Sequence, residues 1–518
     1  MERRQAGRES RARITEARLG PRERSFMTIA DMPARQMSMG LALSWQAARD
    51  PNRPALTMGK KTYSRGELDR AANRLARALA KLGVRKDDRV AVILPTGPKH
   101  QITSFALWKL GALVMPLPPK LVDQELKHLA EVGDPKLVIG VDPARMPGRI
   151  ALPADFEPDP TLSDDPLPEA VSTIWKASTS GGSTGMPKLL FERTSSLIDP
   201  TQALELLRMR TDDVILHPAG AYHNASFSQT NWALCWGNHV ILMERFDALE
   251  WLRLVERYRV RWAYLVPTMM SRILGLPEDV RKGFDVSSLE LVIHMAAPCP
   301  SWVKAAWIEW MGPEKIWEIY AGTEGFGATM ITGGEWLLHR GSVGKAPPRT
   351  EIRGEDGAVL PSGEIGTIYF YPAAGNIYGY PEEAMTYGDM GWLDADGYLY
   401  LADRRTDMIL TGGVNLYPLE MESAIEQFPG VVSAAVIGLP DPDLGAKAHA
   451  IVEMAPGHAA LAPAALATFL ATQLSHHKIP YTCEFVSEPL RDDAGKIRRR
   501  RLREERLTSS RAGYHNLR

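Results

Sequence analysis

The 518-residue sequence has little cysteine and no long apolar run. Its three cysteines, Cys235, Cys299 and Cys483, lie far apart and lack the close spacing of zinc ligands. The sequence therefore supports neither a disulfide framework nor a zinc site, and a reducing, cytoplasmic setting is expected. No apolar stretch approaches the ~18 residues that a membrane helix needs, so we expect no transmembrane segment, although peripheral membrane contact stays open.

An excess of charge of one sign is also missing. The formal net charge is −1 at pH 7, which provides no overall electrostatic attraction to nucleic acid, so no nucleic-acid partner is expected. Apolar residues make up 45% of the chain, which is ample for buried cores, and the length allows several structural units. The composition leaves the oligomeric state open.

The first 26 residues alternate arginine with glutamate. They contain no apolar segment, which excludes a secretory signal, and the glutamates argue against an organelle transit peptide. We expect residues 1–26 to be a disordered tail, or the product of a misplaced start with Met27 as the true initiator.

Strand and helix patterns alternate along the first part of the chain. Apolar residues at three- and four-residue spacing predict an amphipathic helix over residues 65–82. Residues 90–94 read as a buried strand, residues 105–110 as a helix, and residues 112–115 as the next strand. This order predicts an α/β fold with parallel sheets, and glycine-punctuated segments from residue 341 to residue 369 predict a β-rich subdomain.

A glycine-rich loop at residues 178–188 has the composition of an anion-binding turn. Glycines let the backbone approach a ligand closely, and Ser and Thr hydroxyls add donors. The Walker pattern is not met, because Met186 and Pro187 separate the last glycine from Lys188 and Leu189 follows it. A flexible linker is the alternative, but the apolar residues on both sides predict two strands joined by this loop.

This loop resembles the phosphate loop of the AMP-forming adenylate ligases, the family of acyl-CoA synthetases, luciferases and peptide-synthetase adenylation domains. Later segments resemble the same family in the same order. They are residues 296–298 (Ala-Ala-Pro), 320–325, 387–392, 403–407, 410–418 and 495–496 (Gly-Lys). The resemblance is greatest to the bile-acid–CoA ligase-like and long-chain acyl-CoA synthetase-like branch.

The resemblance implies that ATP, Mg²⁺ and CoA are used. Tyr320 would lie against adenine, Thr323 would contact the α-phosphate, and Asp389 would accept hydrogen bonds from the ribose. Glu324 and Thr184 would be the metal ligands. The implied ATP/AMP-binding residues are Thr179, Ser180, Gly181, Gly182, Ser183, Thr184, Lys188, Ala297, Pro298, Tyr320, Thr323, Asp389 and Arg404.

The implied catalytic residues are Lys496, Thr323, Glu324 and His223. Lys496 would bridge the carboxylate and the α-phosphate, and His223 would be a gate beside the acyl group. A lone histidine is more often an ordinary core or surface side chain, and only the resemblance favours the gate. The basic residues 498–501 are expected to form a solvated face.

The resemblance further implies two domains. Residues 27–403 would form a large AMP-binding domain, residues 404–407 a hinge, and residues 408–518 a small mobile α+β domain. Thr406 stands at the pivot, where the family has Asp or Lys. Gly412, Gly413 and Tyr417 would line the CoA tunnel after the small domain has turned.

The implied activity is that of an acid–thiol ligase, which forms acyl-AMP from a small-molecule carboxylic acid and ATP and then acyl-CoA. We expect a bulky hydrophobic acid, either fatty, steroid or aryl. Several aromatic and methionine residues are either its pocket or ordinary core: Trp232, Trp236, Met269, Met270, Met295 and Met330. Transfer of acyl-AMP to a carrier protein is the alternative, and a non-enzymatic nucleotide-binding regulator is a third possibility.

Overall fold

The computed structural model describes residues 35–180, 187–202, 207–218, 220–373, 376, 379–404, 406–412, 414–455, 463–492, 495–508 and 513–518. The expected tail at residues 1–26 and the proposed start at Met27 lie outside them, as do residues 181–184 of the loop and Gly413. In these ranges, no helix combines the length and apolar character needed to span a membrane.

The α-helices of the described residues are α1 (Met39–Arg49), α2 (Arg65–Lys81), α3 (Pro98–Lys109), α4 (Asp123–Gly133), α5 (Asn224–Cys235), α6 (Ala248–Tyr258), α7 (Pro267–Leu274), α8 (Glu278–Lys282), α9 (Ser301–Met311), α10 (Gly333–Leu338), α11 (Pro418–Ile425), α12 (Pro463–Gln473) and α13 (Arg499–Thr508).

The strands before residue 300 are β1 (Met37–Ser38), β2 (Pro54–Met58), β3 (Lys61–Ser64), β4 (Arg89–Val92), β5 (Leu113–Pro116), β6 (Leu137–Ile139), β7 (Ala151–Leu152), β8 (Ala177–Ser180), β9 (Lys188–Phe191), β10 (Leu197–Ile198), β11 (Val214–His217), β12 (His239–Leu242), β13 (Trp262–Leu265) and β14 (Leu291–His294). The later strands are β15 (Ile316–Ala321), β16 (Ala328–Thr332), β17 (Ser342–Lys345), β18 (Glu351–Arg353), β19 (Gly366–Tyr369), β20 (Asp389–Leu393), β21 (Tyr398–Arg404), β22 (Ile409–Thr411), β23 (Val414–Leu416), β24 (Val431–Asp441), β25 (Gly445–Met454), β26 (Thr482–Val486) and β27 (His515–Asn516).

Two mainly parallel sheets form the first part of the fold. The larger has eight strands in the order β16-β15-β14-β13-β11-β12-β2-β3, and its pairs from β15 to β2 are parallel. The smaller has the order β5-β4-β6-β7, and all its pairs are parallel. The α/β prediction is confirmed. The carboxyl ends of parallel strands lie on the same side of a sheet. We therefore expect the segments after β11, β13, β14 and β15 to line one cleft.

Two further sheets follow. The predicted β-rich segment forms a five-stranded antiparallel sheet in the order β17-β21-β20-β19-β18. The last part of the chain forms a four-stranded sheet, β24-β25-β26-β27, with its own apolar core around Val436, Ala450 and Leu466. The separate core agrees with a small C-terminal unit, while the boundary at residues 404–407 stays a prediction.

Local sequence signals explain where several helices begin. Helix α2 covers the predicted amphipathic segment, and Ser64 and Glu67 form a capping box at its start. Helix α3 begins at Pro98, a residue that suits the first position of a helix. Sequence analysis placed its start later, at residue 105, because the residues before that position are mostly polar, although His100 and Gln101 are buried. The predicted turn at Pro267 is instead the first residue of α7, a position that suits proline because it lacks an N–H group.

A buried ion pair joins α9 to β15. Lys304 Nζ lies 2.6 Å from Glu318 Oε2, and the two side chains are only 1% and 8% exposed. Such a pair offsets the desolvation of both charges only while both partners are present. It therefore holds α9 against the strand that leads into the site.

The variant Lys304→Met should lose about 3–5 kcal/mol of unfolding free energy, because Glu318 would remain as an unpaired buried charge. The double variant Lys304→Met/Glu318→Leu should recover most of this loss. Lys282→Met, in the exposed i,i+4 pair with Glu278, is the matched control and should lose no more than about 0.5 kcal/mol. Denaturant unfolding measures all three, and a double variant as unstable as the single one would contradict the prediction.

Candidate active site

The predicted phosphate loop lies on a β-hairpin. Strands β8 and β9 pair antiparallel, with Ala177 opposite Phe191 and Ser180 opposite Lys188. Thr179 is half-buried at the end of the first strand, and Lys188 is exposed at the start of the second. The two-strand prediction is therefore confirmed, whereas Gly181, Gly182, Ser183 and Thr184 lie outside the described residues.

A buried lysine anchors this hairpin to α5. Lys176 Nζ donates to Ser228 Oγ at 2.7 Å and to the Asn224 side chain, and it pairs with Glu192 at 3.1 Å. Ser178 also donates to Asn224. Burial lowers the pKa of Lys176, and the attraction of Glu192 opposes that shift. Sequence reasoning missed this residue, although a lysine within an apolar strand is a visible signal.

His223 lies at the N-cap of α5, one residue before Asn224. Its ring is half-buried and packs on Tyr222, with the ring centroids 4.5 Å apart. The Lys176 network thus places the predicted gate beside the phosphate hairpin. The gating role itself stays a prediction.

The turn after β14 carries the predicted adenine-binding residues. Ala297 is half-buried and Pro298 is exposed, so both are open to the cleft. Ala296 has φ = +78°, a region that glycine adopts freely and alanine adopts at a cost of about 1–2 kcal/mol. Glycine would be unstrained at this position.

Asp389 joins two of the predicted nucleotide residues. Its Oδ2 accepts a hydrogen bond from the Tyr320 hydroxyl at 2.7 Å, and its Oδ1 accepts one from Arg404 Nε at 3.1 Å. Burial, with the nearby Asp389 charge, raises the pKa of Tyr320, so its hydroxyl remains a donor. Each carboxylate oxygen keeps a further lone pair for a ligand hydroxyl.

Thr323 and Glu324 lie in the half-buried turn between β15 and β16. Tyr387, a residue that sequence reasoning gave no role, fixes this turn: its hydroxyl donates to Gly327 O at 2.8 Å and accepts from Gly327 N at 3.0 Å. A Cβ on Gly322 would stand 2.2 Å from the Tyr387 ring, so only glycine fits there. The turn is therefore held rigidly against the five-stranded sheet.

Lys496 reaches this cleft from the C-terminal unit. A Cβ on the preceding Gly495 would lie 3.2 Å from Thr268 Oγ1, so this glycine packs directly on the start of α7. Lys496 stays accessible to solvent, yet crowding by the surrounding protein lowers its pKa. The positive Arg404 adds to the lowering, and Asp492 and Glu324 oppose it.

The predicted CoA residues lie apart from this cluster. Gly412 has φ = +54° and donates to Leu444 O at 3.0 Å on the exposed β22–β23 hairpin. Tyr417 is the half-buried N-cap of α11. No contact between these residues and Asp389 is found in the described part of the chain, and Gly413 lies outside it.

The segment around the predicted hinge is held by a network of charges. Asp403 accepts a hydrogen bond from the backbone N–H of Leu419 at 2.8 Å, which caps α11.

Arg499 pairs with Asp407 at 2.9 Å and with Glu422 at 2.6 Å. The prediction of a solvated basic face at residues 498–501 is therefore wrong for Arg499, because two carboxylates from distant positions enclose it. Thr406 itself is exposed, and its pivot role stays a prediction.

The aromatic and methionine residues separate into two groups. Trp236, Met269 and Met270 are at most 5% exposed and belong to the main core. Trp232, Met295 and Met330 are partly buried around that core. Only the second group remains available to line a pocket.

Comparison with known proteins gives consistent results. Residues 43–380 match the family model described as AMP-binding enzyme, and residues 420–496 match that of the AMP-binding enzyme C-terminal domain. A feruloyl-CoA synthase of Amycolatopsis sp is 31% identical over 485 residues, which cover 88% of this chain and 96% of the relative. The long-chain-fatty-acid–CoA ligase FadD13 of Mycobacterium tuberculosis is 29% identical over 86% of this chain and 93% of its own.

Among solved structures, the o-succinylbenzoate CoA synthetase MenE of Bacillus subtilis, in complex with the acyl-adenylate intermediate OSB-AMP, superposes with a TM-score of 0.74. The match covers 92% of this chain and 99% of that one at 23% identity. This likeness shows a shared fold with a large N-terminal and a smaller C-terminal domain.

The charge network around the predicted hinge should make stability depend on pH. Burial raises the pKa of Asp403 to about 6, so the folded protein favours the protonated carboxyl. Because the unfolded chain ionises at lower pH, the free energy of unfolding should fall by up to about 3 kcal/mol as the pH rises from 4 to 7. The substitution Asp403→Asn removes the cost of burying a charged carboxylate, and its amide oxygen can still accept from the Leu419 N–H. The melting temperature of Asp403→Asn minus that of the wild type should therefore increase between pH 4 and pH 7.

Asp403→Ala is the matched variant for the cap to Leu419. It should be less stable than Asp403→Asn at every pH, by about 1 kcal/mol, because the N–H group of α11 loses its acceptor. A difference between wild type and Asp403→Asn that does not change with pH would contradict the assignment.

Proposed function

The chain belongs to the AMP-binding enzyme family, and on that premise we propose that it is an acid–CoA ligase for a bulky hydrophobic carboxylic acid. The two relatives compared above are named as a CoA synthase and a CoA ligase, which favours this reaction among those of the family. The observation that carries the proposal is the packing of Gly495, the residue before Lys496, on Thr268 at the start of α7, which brings this part of the C-terminal unit onto the large domain. The charges of Glu324 and Arg404 there act on Lys496.

The first step joins the acid to the nucleotide. A carboxylate oxygen attacks the α-phosphorus of ATP, and pyrophosphate leaves. The barrier is mainly one of charge repulsion and orientation between two anions. We propose that Lys496 holds the carboxylate and an α-phosphate oxygen together, that Thr323 donates to the same phosphate, and that Thr179 and Lys188, with residues 180–184, hold the β- and γ-phosphates.

The nucleoside would be held by groups that the structure already orients. Asp389 would accept hydrogen bonds from the ribose hydroxyls, with Arg404 fixing its carboxylate. Tyr320, Ala297 and Pro298 would contact the adenine. Because the Tyr320 hydroxyl donates to Asp389, its ring is held in one orientation.

Glu324 suits the magnesium ion that accompanies ATP. Its carboxylate makes no hydrogen bond to another of the described residues, so its oxygens are available to a hard cation. Bound Mg²⁺ would neutralise charge that develops on the leaving pyrophosphate. Thr184 is the proposed second ligand.

The second step transfers the acyl group. The thiol of CoA attacks the acyl carbon as a thiolate, and AMP leaves. We propose that rotation about residues 404–407, with Thr406 as the pivot, withdraws Lys496 and brings Gly412, Gly413 and Tyr417 to the cleft. The capping of α11 by Asp403 and the pairing of Arg499 with Asp407 stabilise the arrangement seen here, in which the charges of Glu324 and Arg404 act on Lys496.

A screen for pyrophosphate release tests the function. Decanoate, aryl acids and steroid acids should support release with ATP, and acetate and amino acids should not. Free CoA should accelerate turnover of the acyl-AMP more than a phosphopantetheinylated carrier protein does. Faster turnover with the carrier would favour the adenylation-only alternative, and no release with any acid would reject the enzymatic proposal.

Lys496→Ala should abolish adenylation, because the reacting anions lose their bridging cation, but it should spare thioester formation from supplied acyl-AMP. Lys188→Ala should slow adenylation less, by about 2–4 kcal/mol of transition-state stabilisation. Lys282→Ala, on the exposed helix α8, is the control for removal of a lysine. Separate assays of the two half-reactions measure the effect, and equal loss of both in Lys496→Ala would reject its role.

A further inference from the structure

Arg491 is a buried arginine of the C-terminal unit to which the proposed reaction gives no role. Its side chain is only 12% exposed, and it pairs with Glu426, which is 10% exposed, at 2.9 Å. Burial of charge is unfavourable unless partners compensate it fully. Arginine suits such a position because its planar guanidinium presents several donors in fixed directions.

The guanidinium of Arg491 binds three separate elements through three different nitrogens. Its Nη2 donates to Glu426 Oε1 at 2.9 Å, at the C-cap of α11, and its Nε donates to Ser433 Oγ at 2.9 Å, on β24. Its Nη1 donates to the carbonyl oxygen of Gly495 at 3.1 Å. That carbonyl belongs to the peptide bond that leads into Lys496. Arg491 therefore fastens the backbone before Lys496 to a helix and a strand of the same unit.

The described residues 491, 492 and 495–497, here called the lysine turn, also hold one another. Arg491 and Ile497 form an antiparallel bridge. Gly495 N donates to Asp492 O at 2.8 Å, and Lys496 N donates to Asp492 Oδ1 at 3.0 Å. Gly495 has φ = +75°, which glycine adopts without strain. The backbone at Lys496 thus has a defined course that Arg491 closes from the side.

The side chain of Lys496 has no comparable support. In the ranges that the structure describes, it makes no hydrogen bond or ion pair. A lysine side chain is a flexible four-carbon stem, and a reacting group works only when it is held close to its productive geometry. The position of the ammonium group therefore depends on the backbone of the lysine turn.

Helix α11 connects this support to the predicted hinge. Asp403 accepts from the backbone N–H of Leu419 in the first turn of the helix, and Glu426 stands at its C-cap. The eight residues of α11 span ~12 Å between these two contacts. The lysine turn and the segment that follows the hinge are thus joined through one helix, so the hold of Arg491 on Gly495 persists when the small unit turns.

We propose that Arg491, with Glu426 as its counter-charge, is the positioning residue for Lys496 in acid activation. It fixes the Gly495 carbonyl, and with it the backbone from which the lysine reaches the reacting anions. Arg491 acts through Lys496 and takes no direct part in the reaction. This inference rests on the proposed function of Lys496. Because Lys496 is withdrawn for the second step, Arg491 is needed for adenylation and not for thioester formation.

The double variant Arg491→Met/Glu426→Leu tests this role without leaving a buried charge unpaired. Its melting temperature should stay within about 5 °C of that of the wild type, because both charges are removed together. The kcat of adenylation, followed by pyrophosphate release, should fall roughly tenfold to a hundredfold, because Lys496 loses its fixed geometry. The KM for ATP, and thioester formation from supplied acyl-AMP, should change by less than about twofold.

A second variant keeps the charge and removes only the geometry. Arg491→Lys leaves a cation opposite Glu426, but an ammonium group lacks the planar fork that reaches Ser433, Glu426 and Gly495 together. It should fold like the wild type and lose adenylation as the double variant does. This variant carries the test if the double variant does not fold.

Arg506→Met/Glu484→Leu is the matched control. Arg506 and Glu484 form a partly exposed pair of the same unit at 2.6 Å, with side chains 14% and 20% exposed. Neither makes a hydrogen bond to the lysine turn among the residues that the structure describes. Both half-reactions should keep their wild-type rates in this variant, which separates the loss of an ion pair from the loss of the hold on Gly495.

Deuterium exchange at the Gly495 and Lys496 amides measures the lysine turn without any substrate. These amides should exchange faster in Arg491→Lys and in the double variant than in the wild type and the control, because a loosened turn opens their bonds to Asp492. Wild-type adenylation in either folded variant, unchanged exchange, or an equal loss of both half-reactions would overturn the inference. Absence of pyrophosphate release by the wild type with every acid would instead reject the proposed function, and unchanged exchange would still show that Arg491 does not hold the turn.

Discussion

The carboxylate of Asp389 is the group on which the geometry of the cleft depends. It lies on β20 of the antiparallel sheet, accepts from Tyr320 on β15 of the large sheet, and pairs with Arg404 at the end of β21. One side chain thereby ties together two sheets and the segment that leads into the C-terminal unit. The same segment pairs with Arg499 through Asp407, which connects the predicted nucleotide residues to the start of α13, three residues after Lys496.

Buried charges recur at the joints of the fold. Lys176 holds the hairpin of β8 and β9 to α5, Lys304 holds α9 to β15, and Arg499 holds α13 to Asp407 in the segment before β22. Each has a carboxylate within hydrogen-bonding distance, which offsets the desolvation that burial imposes. A charged pair tolerates little change of geometry, so these contacts favour one arrangement of elements that apolar packing alone would leave less defined.

Much of the fold was predictable from the sequence because it depends on local patterns. The spacing of apolar residues predicted α2, runs of β-branched and other apolar residues predicted the parallel strands, and the apolar residues on both sides of the glycine-rich loop predicted the hairpin of β8 and β9. Tertiary structure was needed wherever partners are far apart in the chain: sequence offered no way to pair Arg499 with Asp407, Asp403 with Leu419 or Lys176 with Asn224.

The sequence by itself determined which chemical groups the protein has for activating an acid, since an ordered set of motifs includes a phosphate loop, Asp389 and Lys496. Only the tertiary structure decided which of them meet, that Arg499 is enclosed and that Arg491 binds the Gly495 carbonyl. The physical reason is that hydrogen bonds and ion pairs act over a few ångströms, whereas the residues that make them lie many positions apart until the sheets and helices have packed.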